Sequence, residues 1–170
     1  MLDLKLLDQN LVMINLEADT QQEALEKLAG RLYETGYVKD TYAQAILERE
    51  KVFPTGLPTE GYGVAIPHTD VEHVHKPAVA LGILQKPVKF NLMGDLNPES
   101  QVDVQIMFML ALKEPHMQLE LLQDIMEMIQ DQELLKKMVE ARKCRGINSN
   151  DGGICQNKGG GVTTSLPGVG

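Results

Sequence analysis

The apolar run Leu11-Val12-Met13-Ile14 has the length of a strand and leads into Thr20-Gln21-Gln22-Glu23, which has the spacing of a capping box. Ala24, Leu25, Leu28, Ala29 and Leu32 then recur at helical intervals until Gly36. This pattern predicts a strand followed by a helix. Thr41-Tyr42-Ala43-Gln44 has the same capping spacing and opens a second helix, continued by Ala45, Ile46 and Glu48-Arg49-Glu50. Phe53-Pro54 stops that helix, because the residue before a proline disfavours helical backbone.

Further on, Ala78 to Leu84 and Ile106 to Leu112 are near-continuous apolar runs, as expected of strands buried on both faces. Val88 to Leu92 alternates, as a half-exposed strand does. Gly94 to Ser100 reads as a turn-rich loop. Pro115 sits just inside a helix start and is followed by Leu121, Leu122, Ile125, Met126 and Ile129 at helical spacing. Leu134, Leu135, Met138 and Val139 repeat the pattern in a final short helix. Strands bracketed by helices at both ends of the sequence predict a layered α/β domain with a mostly buried sheet.

A chain of 170 residues has room for one domain and a filled core. Its formal net charge of -8, without any basic stripe, argues against a nucleic-acid partner. The N-terminus lacks the basic flank and long apolar stretch of a signal peptide, and the longest apolar run is too short to span a bilayer. A cytoplasmic protein without direct membrane insertion is expected. Both cysteines, Cys144 and Cys155, lie in the last part of the chain, which weakens any disulfide or four-ligand zinc framework. Residues 142–170 hold more than half of all the glycines and no periodic apolar pattern, so a folded domain over 1–141 with a disordered tail is expected.

Candidate chemistry concentrates in 53-FPTGLPTEGYGVAIPHTD-70, where a loop of prolines, glycines and threonines delivers His68 to the end of a short buried strand. Three of the four histidines crowd into 67-PHTDVEHVHKP-77. A metal site would place His73 and His75 on one face of a strand with His68 as third ligand, but the helical HxxxH and HExxH spacings are missing. No metal or other cofactor is assigned. The other reading makes His68 a nucleophile, since a neutral imidazole nitrogen can attack a phosphoryl group and hold it as a labile phosphoramidate. Arg49 would meet the phosphoryl charge, Thr55 would offer a hydroxyl, and Gly56 would let backbone approach closely. His116, opening a helix, would be a second imidazole beside the first. Each also has a plainer reading: Arg49 as a solvated helix-end cation, Thr55 and Gly56 as turn residues, His116 as a surface residue.

The combination 46-ILERE-50, 54-PTG-56 and 63-GVAIPHTD-70 resembles the phosphoacceptor region of enzyme IIA of the fructose/mannitol type, from the phosphoenolpyruvate-dependent sugar phosphotransferase system. The stretch 106-IMFMLALKEPHMQLELLQDI-125 resembles the family's buried strand and following helix. The wording PTG…VAIPHTD followed by PAVALGIL looks most like the galactitol-type branch. The resemblance implies a layered α/β/α domain with a mixed, mostly buried five-stranded sheet flanked by helices. It also implies a protein-to-protein phosphotransferase. His68 would accept a phosphoryl group from the carrier protein HPr and pass it to a cysteine of enzyme IIB, which serves sugar entry through enzyme IIC. His116 would help orient that group, Arg49 would stabilise its charge, and Thr55 with Gly56 would support it. A regulatory module of the same fold and a metal-dependent enzyme using His68, Asp70, His73 and His75 are the alternatives. In the tail, 154-ICQNKGGGVTTS-165 distantly resembles an enzyme IIB phosphocysteine turn, but no strand precedes Cys155 in the sequence pattern.

Overall fold

The protein is described by a computed structural model covering residues 9–145. A 3-10 turn at Gln9–Leu11 leads into β1 (Val12–Leu16), followed by α1 (Gln21–Glu34), α2 (Tyr42–Val52), β2 (Gly56–Leu57) and β3 (Gly63–Ala65). After a second 3-10 turn at Val71–His73 come β4 (Ala78–Asn91), β5 (Gln101–Ala111), α3 (Pro115–Met128) and α4 (Gln132–Arg145). The five strands form one sheet in the order β1-β4-β5-β3-β2. β1 runs parallel to β4 and β3 parallel to β5, while β4–β5 and β2–β3 are antiparallel. The sheet is therefore mixed, as expected.

Strand alternation divides the core between the two faces. Ala78, Ala80 and Leu84 of β4, with Met107, Met109 and Ala111 of β5, pack with Leu25, Leu28, Leu32 and Ile46 of α1 and α2. Their neighbours Val79, Leu81 and Ile83, with Ile106, Phe108 and Leu110, pack with Leu121, Ile125, Leu135 and Val139 of α3 and α4. Both faces are covered, which is why the two central strands read as unbroken apolar runs.

Four local expectations change. The segments Ala78–Leu84 and Val88–Leu92 belong to one long strand, because both pair with β5 on either side of a register break between Ile83 and Val88. Pro87 falls in that unpaired stretch, where a missing N–H costs no ladder bond. β5 begins at Gln101, five residues before the apolar run, because Gln101 and Asp103 point outward while Val104 points in. Thr20 caps α1, with the Glu23 N–H donating to Thr20 Oγ1 at 3.2 Å, while the Glu23 carboxylate accepts the Asp19 N–H at 3.2 Å in place of the Thr20 N–H. At Thr41 the cap is absent, and the hydroxyl bonds His73 Nδ1 at 2.8 Å instead. The tail boundary expected at 142 falls inside α4, and the rest of the tail with Cys155 lies outside the described residues.

Close backbone packing sets β3 against β5. A Cβ on Gly63 would lie 2.0 Å from the Asp103 carbonyl oxygen, which is backbone and cannot swing aside. Gly63→Ala is expected to lower stability by about 2 kcal/mol or more, the upper range of overpacking costs. Urea unfolding checks this, and a loss below about 0.5 kcal/mol would contradict so tight a contact.

Candidate active site

His68 is held by backbone on both sides. The Ile66 N–H donates to the Thr55 carbonyl at 3.3 Å, the Leu110 N–H donates to the Pro67 carbonyl at 2.9 Å, and His68 forms a parallel bridge with Leu110. The buried Tyr42 hydroxyl donates to the Leu110 carbonyl at 2.7 Å, tying α2 to the same point. The imidazole Nδ1 lies 2.8 Å from the Ile66 carbonyl oxygen. A carbonyl can only accept, so Nδ1 carries the proton and the lone pair is left at Nε2. Burial holds the ring below the usual imidazole pKa; the Ile66 bond and Asp70 act in the opposite direction, and Arg49 adds to the lowering. At neutral pH His68 is a neutral imidazole with one defined nucleophilic nitrogen.

Arg49, in the last turn of α2, contributes the positive charge. Its guanidinium carbon sits 5.1 Å from the Phe53 ring centroid, and Nη1 is 3.5 Å from Asp70 Oδ1 in a loose ion pair. Its Nε is buried and has no hydrogen-bond partner among the described residues. A buried donor left open in this way suits an anion. His68 and Thr55 line a depression of about 210 Å³ whose rim carries the exposed apolar side chains Val52, Phe53, Met93 and Leu96.

Behind this depression lies a residue whose role was not expected. Glu50, only 4% exposed, accepts the Thr55 N–H at 2.8 Å and the Thr55 hydroxyl at 2.9 and 3.0 Å. Burial pushes its carboxyl up to about 7, partly offset by the two Thr55 bonds. A carboxylate in the last turn of a helix opposes the macrodipole, and that misfit was the available signal of a particular task.

The family model for the EIIA 2 component of the phosphoenolpyruvate-dependent sugar phosphotransferase system matches residues 5–147. The chain belongs to this family. A galactitol-specific EIIA component of Escherichia coli (strain K12) is 29% identical over 119 residues, 70% of this chain and 77% of that protein. A mannitol-specific phosphotransferase enzyme IIA component of Staphylococcus aureus (strain Mu50) is 30% identical over 137 residues, 80% of this chain and 88% of that protein. The crystal structure of IIA mannitol from Escherichia coli shares the fold at a TM-score of 0.64 and 24% identity, over 78% of this chain and 89% of that one. The chain is thus an EIIA component of the galactitol/mannitol type, a phosphotransferase component of sugar transport.

In this EIIA, the residues singled out from sequence are not all brought together. His68 and Thr55 share the depression; Arg49 does not line it, but its guanidinium lies over the ring of Phe53, which does, and pairs loosely with Asp70. The single Thr55 proton is engaged by Glu50, so Thr55 shapes the turn and is no free donor for an anion. Gly56 pairs with Ala65 in the sheet, its carbonyl accepts the Met93 N–H at 2.8 Å, and a Cβ there would meet the Asn91 carbonyl at 2.6 Å. Close packing, rather than anion contact, is what its missing side chain permits. His116 is exposed at the start of α3 with Nε2 3.0 Å from Glu114 Oε2, and no contact among the described residues joins it to His68. His73 lies in a 3-10 turn, bonded to Thr41, so the strand pairing with His75 that a metal site required does not form. Among the described residues no group of three or more His, Cys, Asp or Glu side chains is placed to hold a metal.

The charge layout around His68 has a testable sign. A lowered pKa keeps the ring neutral further down in pH, and folding gains stability as pH rises through the window just below 6.5. In a histidine NMR titration His68 is expected below 6.5, with Arg49→Gln moving its midpoint up and Asp70→Asn moving it down. The opposite order of the two variants would contradict the layout.

Proposed function

We propose that His68 is the phosphoryl acceptor of this EIIA. It takes the group from the phosphohistidine of HPr and hands it to a cysteine of enzyme IIB of the same sugar permease. One observation carries the reading: an imidazole locked by the Ile66 carbonyl presents Nε2 at a depression beside the unpartnered Arg49 Nε. The Nε2 lone pair attacks phosphorus as the donor's P–N bond breaks. Nδ1 keeps its proton, so the phosphorylated ring is cationic, and its N–H bond to Ile66 steadies that charge. A thiolate of enzyme IIB then attacks phosphorus and the P–N bond to Nε2 breaks. The neutral ring returns in its starting tautomer. Neither step requires a proton to leave His68, and the cationic ring is a good leaving group for the second.

Arg49 can turn its open donor and its Asp70-paired nitrogen toward the phosphoryl oxygens. The apolar rim of Val52, Phe53, Met93 and Leu96 suits contact with protein partners. Galactitol or a related sugar is the proposed cargo, supported by the wording PTG…VAIPHTD and by the galactitol-specific relative. This work is cytoplasmic in the proposal; among the described residues no helix is long and apolar enough to cross a membrane.

Given phosphoenolpyruvate, enzyme I and HPr, the purified chain is expected to gain acid-labile phosphate. His68→Ala abolishes this and His73→Ala does not, while Arg49→Gln slows acceptance by about 100-fold, the typical loss of one oriented charge donor. Incorporation that survives His68→Ala would overturn the proposal.

A further inference from the structure

Glu50 has no assigned part in the chemistry, yet it is an expensive group to keep. It is a carboxyl buried at 4% exposure, and no cation among the described residues pairs with it. Burying such a group carries a desolvation penalty that a neutral or apolar side chain would avoid. Among the described residues, its hydrogen-bond partners are the N–H and hydroxyl of Thr55.

The bonds do not stop at Thr55. The Thr55 carbonyl accepts the Ile66 N–H at 3.3 Å, and the Ile66 carbonyl accepts the His68 Nδ1–H at 2.8 Å. Glu50 thus stands at one end of a continuous chain of hydrogen bonds whose other end sets the imidazole tautomer. The sheet pairing of Gly56 with Ala65 fixes the far side of the Thr55–Gly56 peptide, and Glu50 fixes the Thr55 N–H and hydroxyl on the near side. Glu50 also directly follows Arg49, so one helical turn sets both the guanidinium and the anchor of the imidazole.

We propose that Glu50 is a positioning residue for the phosphoryl acceptor. Through Thr55 and Ile66 it holds the carbonyl to which His68 donates, and so keeps the lone pair at Nε2. This rests on His68 being the acceptor, but the tautomer is measurable in the unphosphorylated chain. A glutamine at this position can accept the Thr55 N–H with its oxygen and donate to the Thr55 hydroxyl with its nitrogen. A leucine can do neither.

The test uses long-range 1H–15N correlation spectra of the full chain near pH 7.5, alongside rates of acceptance from phosphorylated HPr. The wild type is expected to show a single His68 tautomer protonated at Nδ1, and Glu50→Gln to keep it at near wild-type rate. Glu50→Leu is expected to mix the tautomers and slow acceptance about tenfold or more, with little change in the donor's KM. Thr55→Val removes one of the two links and is expected to give an intermediate mixture, which decides the matter if Glu50→Leu does not fold. A wild type protonated at Nε2, or folded Glu50→Leu or Thr55→Val with the wild-type tautomer and rate, would overturn the proposal. If no variant or wild type accepts phosphate, the proposed function fails and the tautomer spectra still decide the role of Glu50.

Discussion

A carbonyl oxygen accepts hydrogen bonds and cannot donate them. The 2.8 Å contact between the Ile66 carbonyl and His68 Nδ1 therefore decides which nitrogen holds the lone pair. The site depends on that assignment. In the proposed transfer, with the proton at Nδ1, the nucleophile is Nε2, the ring needs no proton transfer to react, and the bond that orients the ring also steadies the cation that phosphorylation would form. The fold's contribution is to keep the Ile66 carbonyl still. It does so by placing β3 inside the sheet beside β5 and by stitching Pro67 and His68 to Leu110.

The two-faced core makes this possible. The β4 and β5 side chains alternate between the α1–α2 layer and the α3–α4 layer, so β5 is clamped on both faces. A strand held in that way is a rigid reference for the residues bonded to it. By contrast, the rim of the depression consists of the α2–β2 turn and the β4–β5 connection, where Leu96 is 88% exposed. A rigid nucleophile beneath an exposed apolar rim meets two demands at once: geometry for the transfer and a surface that different proteins can approach.

Much of this was legible in sequence, and the gaps have physical causes. Helical and strand periodicity located the main helices and the buried strands, and the loop pattern around Pro54-Thr55-Gly56 and Pro67-His68 singled out His68, the proposed acceptor. The continuity of β4 was hidden, because the polar Gln85-Lys86-Pro87 interrupts the apolar pattern and the shared partner β5 is not visible in the sequence. Glu50 was hidden in the charged stretch Glu48-Arg49-Glu50, although it continues the buried face of Tyr42 and Ile46 by one further four-residue step, while Glu48 is exposed. Thr41 and Thr55 both carry hydroxyls with plausible local partners, and in each case a partner elsewhere won. The tautomer of His68 could not be read from residue types, since it depends on one carbonyl's position.

The central claim concerns one atom, and it is tested most directly by locating the phosphoryl group on the phosphorylated, 15N-labelled chain. Long-range 1H–15N and 31P spectra are expected to place it on Nε2 of His68, with Nδ1 still protonated. A phosphoryl group on Nδ1, or on His73, His75 or His116, would contradict the account.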